Sequence, residues 1–161
     1  MTQQAESMIT NEMRGVVGKE GAPTTLEVEK TGCRMFARAV GHSDPIFYDE
    51  EAAKVAGYRS VVAPPGFLGT PIFNAGRERS PAETAGRGYS IPYKRVLNGG
   101  TDYEYLDTVC AGDVLTSRTK ITAFSERTGS IGPMLITSRE TIFTNQDGKV
   151  VAKMQGRTIQ Y

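Results

Sequence analysis

The chain has 161 residues, with 19 Lys and Arg against 18 Asp and Glu for a formal net charge of +1, one histidine and two cysteines. A chain of this length buries roughly 70% of the surface its unfolded form exposes, so one domain, 1–161, needs neither disulfides nor metals for its core. The even charge excludes an obligate nucleic-acid binder, and one histidine with the separated Cys33 and Cys110 cannot furnish a four-ligand zinc site.

In chain order, Met1 to Val17 lacks a basic segment followed by an apolar run of signal-peptide length. No later stretch approaches the ~20 apolar residues of a membrane span. The expectation is a cytoplasmic protein with reduced thiols and no membrane or nucleic-acid partner. Ala5 to Val17 predicts a short amphipathic helix ending near Gly15 or Gly18, and Gly18 to Pro23 a loop. Thr24 to Glu29 alternates polar and apolar residues, the period of a half-buried strand. From Thr31, a plausible N-cap, Met35, Phe36, Ala39 and Val40 recur at helical spacing until Gly41. Gly41-His42-Ser43-Asp44-Pro45 is turn chemistry, and Asp49 to Ala56 predicts a short helix ending at Gly57.

Val61 to Leu68 is apolar around Pro64-Pro65, and prolines are tolerated where a helix begins. A buried helix is expected from here to about Phe73. Asn74 to Tyr93, rich in Gly, Arg, Pro and Ser, reads as a long loop or flap. Strands follow at Arg95–Val109, Asp113–Phe124, Pro133–Thr144 and Lys149–Gln160, separated by turn sequences at Ala111-Gly112-Asp113, Glu126 to Ser130 and Asn145 to Gly148. They predict an antiparallel meander. With the Thr24 strand this makes a sheet of about five strands covered by an apolar helix, class α+β.

Two blocks of residues carry a resemblance. Phe36 to Ala53, then Ala56-Gly57-Tyr58 and Val62 to Leu68, form the first; Leu97 to Gly100, Tyr103-Glu104-Tyr105 and Ala111-Gly112-Asp113 form the second. In order and spacing the chain resembles the N-terminal, FAS1-type dehydratase module of MaoC-like dehydratases from about Ala5 to Tyr161. The resemblance implies a hot-dog fold, an antiparallel sheet wrapped around a central helix, usually dimerised so that two sheets join. It also implies reversible hydration of 2-enoyl thioesters carried on coenzyme A or acyl carrier protein, with no further cofactor.

Hydration of an enoyl thioester needs a base for the water, an acid for the α-carbon and donors for the thioester oxygen. Active members of the family resemble one another in an Asp-x-Asn-Pro-apolar-His run whose Asp and His hold the water. Here Asp falls on His42, Asn on Asp44, Pro on Pro45 and His on Phe47. Both catalytic positions are substituted, and Phe47 cannot transfer a proton. The resemblance therefore implies no catalytic residue in this chain, which would shape an acyl-CoA pocket beside a MaoC-like catalytic hydratase subunit. Two alternatives stay open: an altered dyad of His42 and Asp44 in a homo-oligomer, and a catalytically silent acyl-thioester binding or assembly protein.

Asp44, Phe47, Tyr48, Pro65, Gly66, Phe67 and Phe73 are the candidate pocket residues. Each has a plainer reading as a turn, helix-entry or core residue. Arg77, Arg79, Arg87, Lys94 and Arg95 stand against Glu78 and Glu83. Arg87 and Arg95 are candidates for coenzyme A phosphates, with a solvated loop as the ordinary alternative.

Overall fold

A computed structural model of the chain describes residues 7–70 and 88–161. The elements are α1 (Asn11–Val16), β1 (Thr24–Glu27), α2 (Lys30–Ala39), a 3-10 turn (Pro45–Phe47), α3 (Glu50–Val55), a second 3-10 turn (Phe67–Gly69), β2 (Val96–Tyr105), β3 (Val114–Gly129), β4 (Gly132–Thr144) and β5 (Val150–Gln160). The strands form one antiparallel sheet in the order β1-β3-β4-β5-β2. This is the five-stranded sheet of the hot-dog fold.

Alternation explains the core face of the sheet. Leu26 pairs with Leu115 across β1 and β3, and Leu135, Thr137, Thr141 and Phe143 are the buried positions of β4. Because strand side chains alternate between faces, such spacing collects one apolar surface. Val28, Cys33, Val61, Phe67, Leu68, Val109, Val151 and Ala152 complete the buried cluster, so the core lies between the sheet and the segments around α2 and residues 61–68. Among the described residues no helix is long and apolar enough to cross a membrane.

Several expectations are corrected. Helix α2 starts one residue before Thr31, with Glu29 as its N-cap and no side-chain cap bond. Its buried positions are Cys33 and Ala37, with Phe36 packed beside them, while Met35, Ala39 and Val40 face outward. At 100° per residue, 33 and 37 share a stripe and 35 and 39 lie off it. The helix expected from Val61 to about Phe73 does not form as far as Thr70. Gly66 adopts a left-handed backbone with φ +90°, which interrupts any helix begun at Pro64, and only the 3-10 turn follows. Phe73 lies outside the described residues.

The meander is also incomplete. Strands β3, β4 and β5 follow one another, but β2 lies on the far side of β5 rather than beside β3. The reason is that Ala111-Gly112-Asp113 is not a hairpin turn. Ala63 N–H donates to Val109 O and Ala111 N–H to Val61 O, both at 2.8 Å, so residues 109–111 pair with 61–63 instead. Strand β3 runs on to Gly129, where a two-residue turn, Ser130-Ile131, leads into Gly132 at φ +100°. In β2, Gly99-Gly100 form a bulge opposite Arg157. A Cβ on Gly99 would meet Arg157 and Ile159 atoms at 3.1 Å, and Gly100 has φ +107°.

One carboxylate organises this region. Asp113 is 1% exposed and receives four donors: Arg59 Nη1 at 2.9 Å and Nη2 at 3.0 Å, Cys110 N–H at 2.9 Å, and Gln146 Nε2 at 3.2 Å. Burial pushes its pKa up, but Arg59, the Cys110 amide and Gln146 outweigh burial and hold the carboxyl below its ordinary value. Asp113→Asn is therefore expected to lose about 2–4 kcal/mol at neutral pH, because the Arg59 fork loses its counter-charge. The folded carboxyl titrates below the unfolded one, so this stabilisation is present above about pH 4 and is lost as pH falls through the folded value. Urea unfolding of both proteins, near neutrality and in acid, should show the gap narrowing in acid; a constant gap would rule out an ionic origin.

Cys33 and Cys110 are both free and buried. Burial, and after it the neighbouring Cys110, pushes the Cys33 thiol up to about 12. A thiol held protonated is a poor nucleophile. Ellman's reagent should accordingly find no rapidly reacting thiol in the native chain and two after denaturation.

Candidate functional site

Three segments line an open cavity of about 530 Å³. The first begins at the turn after α2. Asp44 Oδ1 accepts from Ile46 N–H at 3.1 Å, Pro45 supplies a first position needing no amide donor, and the 3-10 turn Pro45–Phe47 follows. That turn places Ile46 and Phe47 on the cavity wall, and Tyr58, beyond α3, joins them. The second segment contributes Val62, Ala63 and Pro65. It is joined to the first by Val62 N–H, which donates to Ile46 O at 3.0 Å.

The third wall is the end of β2 and the connection beyond it. Tyr105 lies on it, with Leu106, Asp107, Thr108 and Val109 completing it. Leu106 and Asp107 amides both donate to Val151 O, at 2.8 and 3.1 Å, which pins this wall to β5. Tyr103 and Tyr105, two apart on one strand face, stack with ring centroids 5.9 Å apart and planes at 16°. The Gly66 amide donates to the Tyr105 hydroxyl at 2.8 Å. A Cβ on Gly69 would lie 2.0 Å from the Tyr103 hydroxyl oxygen, so the two glycines of the 3-10 segment receive the ends of the two tyrosines.

Two of the polar groups on the wall, Asp107 and Tyr105, are poor proton-transfer candidates. Lys149 bonds Asp107 at 2.7 Å, and that bond, with the Thr108 amide, holds its carboxyl below the ordinary range. Such a carboxylate is a weak base. Burial raises both Tyr103 and Tyr105, so their hydroxyls stay protonated at neutral pH.

The residues singled out in the sequence divide into several groups. Phe47 and Pro65 line the cavity, and Gly66 stands behind Tyr105. The Gly66 amide, just after the proline pair, is taken by the Tyr105 hydroxyl. Phe67 is a core residue, 6% exposed and edge-on to Phe36 at 6.0 Å. Tyr48 locks the turn: its hydroxyl donates to His42 O, and its own carbonyl accepts from Arg34 Nε at 2.7 Å.

Neither His42 nor Asp44 is a wall residue. The His42 ring lies 5.1 Å from that of Phe47, and Asp44 is an exposed cap. Arg95 stacks over Tyr161 at 6.0 Å, at the opposite end of β2 from Tyr105. At the usual strand rise the two are about 30 Å apart. Arg87 lies outside the described residues. Sequence reasoning passed over Tyr58, Tyr103, Tyr105, Asp107 and Thr108 as site residues; the spacing of Tyr103 and Tyr105 on a strand was the available signal.

The fold is that of the MaoC-like hot-dog dehydratases, and the cavity lies between its Asp-Pro turn and the end of β2. The profile of the family described as FAS1-like, dehydratase domain region, matches residues 15–154, and the chain belongs to that family. It is 36% identical over 118 residues to a UPF0336 protein of Streptomyces coelicolor, covering 73% of this chain and 76% of the relative. To a UPF0336 protein of a Parafrankia species it is 38% identical over 128 residues, covering 80% of each.

Among solved structures, it resembles a chain of the C-terminally truncated HadBC (3R-hydroxyacyl-ACP dehydratase) complex from Mycobacterium tuberculosis. The TM-score is 0.70 at 27% identity, covering 89% of this chain and 96% of that one. The ChsH1-ChsH2 complex from the same organism gives a TM-score of 0.69 at 18% identity, covering 88% of each chain, a likeness of fold. A MaoC-like dehydratase gives 0.74 at 22% identity, covering 91% of this chain and 42% of that one.

The close fit of Tyr103 over Gly69 is testable by a double-mutant cycle. Gly69→Ala should destabilise by about 1–3 kcal/mol, since the Tyr103 ring must leave its place. In a Tyr103→Phe background the cost should shrink. Equal costs in the two backgrounds, measured by urea unfolding, would show that the hydroxyl is not the obstacle.

Proposed function

We propose that this chain is a pocket-forming subunit of a hydratase that interconverts 2-enoyl and 3-hydroxyacyl thioesters, with a MaoC-like partner supplying the catalytic Asp and His. The observation that carries the reading is the cavity wall at Phe47: the turn that would present a catalytic histidine is intact, but the side chain it presents is a hydrocarbon. Asp107 is tied to Lys149, and His42 is not on the wall, which supports a site without its own acid/base pair.

In the assembled enzyme the partner's base would take a proton from water as its oxygen bonds to C3. The acid would then deliver a proton to the α-carbon. This chain's share is to hold the acyl group and exclude bulk water. The apolar residues of the cavity suit a hydrocarbon, and about 530 Å³ falls within the usual range of small-molecule sites, about 300–1,000 Å³. The similarity to a chain of a HadBC complex supports a two-chain assembly, as does the ten-residue β2, exposed along most of its length at the sheet edge. The substrate would be carried on coenzyme A or acyl carrier protein with no other cofactor, in the cytoplasm.

The test compares the purified chain alone with the chain co-expressed beside a short hot-dog protein that has an intact Asp-x-Asn-Pro-apolar-His run. With crotonyl-CoA and longer enoyl-CoAs, the lone chain should be at least about 100-fold slower, the range lost with a general acid or base. Activity of the lone chain that disappears in His42→Ala would establish the self-sufficient alternative instead. Silence in both preparations, with acyl-CoA still bound, would favour a binding or assembly protein.

A further inference from the structure

On the cavity wall, the Tyr105 hydroxyl has its hydrogen-bonding capacity half used. A phenol can accept and donate. Its acceptor side is taken by the Gly66 amide at 2.8 Å, and among the described residues no group accepts its proton. The oxygen is held in place from behind: the ring stacks on Tyr103, whose own hydroxyl end is seated over Gly69. Accepting from an amide also polarises the O–H, making it a better donor. Around it the wall is mainly apolar, with Val62, Ala63, Pro65 and Leu106 on the same cavity. Tyr105 is 40% exposed on the cavity wall, so the donor is unpaired only when an acyl chain covers it. An oxygen on that chain then satisfies it and a methylene does not. A tyrosine carries its proton at neutral pH, and partial desolvation shifts Tyr105 further in that direction.

We infer that Tyr105 is a specificity-determining residue, whose hydroxyl donates a hydrogen bond to a carbonyl or hydroxyl oxygen carried on the acyl chain beyond the thioester. Oxygen-bearing acyl thioesters then bind in preference to plain hydrocarbon ones. This rests on the acyl-thioester reading above. The two glycines give it a structural basis: Gly66 provides the amide that orients the hydroxyl, and Gly69 the space that lets the paired ring lie close. Neither role involves proton transfer, so the selection works whichever chain holds the catalytic groups.

The test is calorimetric titration of the full chain with decanoyl-CoA, 3-hydroxydecanoyl-CoA, 3-oxodecanoyl-CoA and 9-oxodecanoyl-CoA. The four probes distinguish an oxygen near the thioester from one at the far end. The native chain should bind at least one oxygenated probe about 3- to 10-fold more tightly than decanoyl-CoA, the worth of one hydrogen bond. Tyr105→Phe should abolish that preference while changing decanoyl-CoA affinity less than about twofold, and Tyr103→Phe should retain it. A preference that survives Tyr105→Phe, or a uniform loss for all four probes, overturns the inference. So does the absence of any preference in the native chain, a result that needs no variant to fold. A native chain that binds none of the probes, either alone or co-expressed with the hot-dog partner of the preceding test, instead overturns the acyl-thioester reading itself.

Discussion

The buried carboxylate of Asp113 holds together the part of the molecule on which the cavity depends. Taking a carboxylate out of water costs several kcal/mol unless its lone pairs are matched. Here the Arg59 fork, the Cys110 amide and Gln146 supply the match. Arg59 lies two residues before the segment 61–63, and Cys110 lies in the segment 109–111 that pairs with it. One ion pair therefore clamps both sides of a short ribbon, while Gln146 ties it to the turn between β4 and β5. The cavity walls at Val62 and Ala63 and at Leu106 to Val109 continue directly from that ribbon, so its register decides which side chains face each other.

The turn at residues 42–48 keeps its internal hydrogen bonds while the residue it turns toward the pocket at 47 is a phenylalanine. Asp44 still caps, Pro45 still opens the 3-10 turn, and Tyr48 still closes it onto the His42 carbonyl. These interactions use backbone groups and two polar side chains, none of which has to reach a substrate. The side chains the turn delivers to the cavity are Ile46 and Phe47. Opposite them, the Tyr105 hydroxyl occupies the Gly66 amide. The surface facing the pocket is thus mainly apolar, with one oriented hydroxyl at Tyr105.

The sequence disclosed these features unevenly. Strands β3, β4 and β5 alternate and are joined by short turns, so neighbouring contacts dominate them and their order could be read directly. The face of α2 could not, because Met35 and Val40 are as apolar as Cys33 and Ala37, and only the position of the sheet decides which stripe is buried. The region after Pro64-Pro65 looked helical because apolar residues cluster there, but Gly66 takes a left-handed backbone and the helix does not start. Within the site, Phe47 and Pro65 were recognised from their motif, and Tyr58 lay in the same block without being singled out. Asp107 and Thr108 carry no motif of their own and belong to the pocket only through neighbours distant in the chain.

Side-chain chemistry at residues 42–47 was already decided by residue identity: a phenylalanine cannot hold or move a proton in any environment, so the missing histidine was evident without coordinates. The same holds for the alternation that makes a half-buried sheet. The place of β2 beyond β5, the burial of Asp113, the distance of Arg95 from the cavity and the meeting of Tyr105 with Gly66 were decided only in the tertiary structure. The separation of Arg95 follows from the length of β2. The place of β2, the burial of Asp113 and the Tyr105–Gly66 bond depend on hydrogen bonds between residues tens of positions apart, and such pairings are selected by the packing of the whole core rather than by any local pattern.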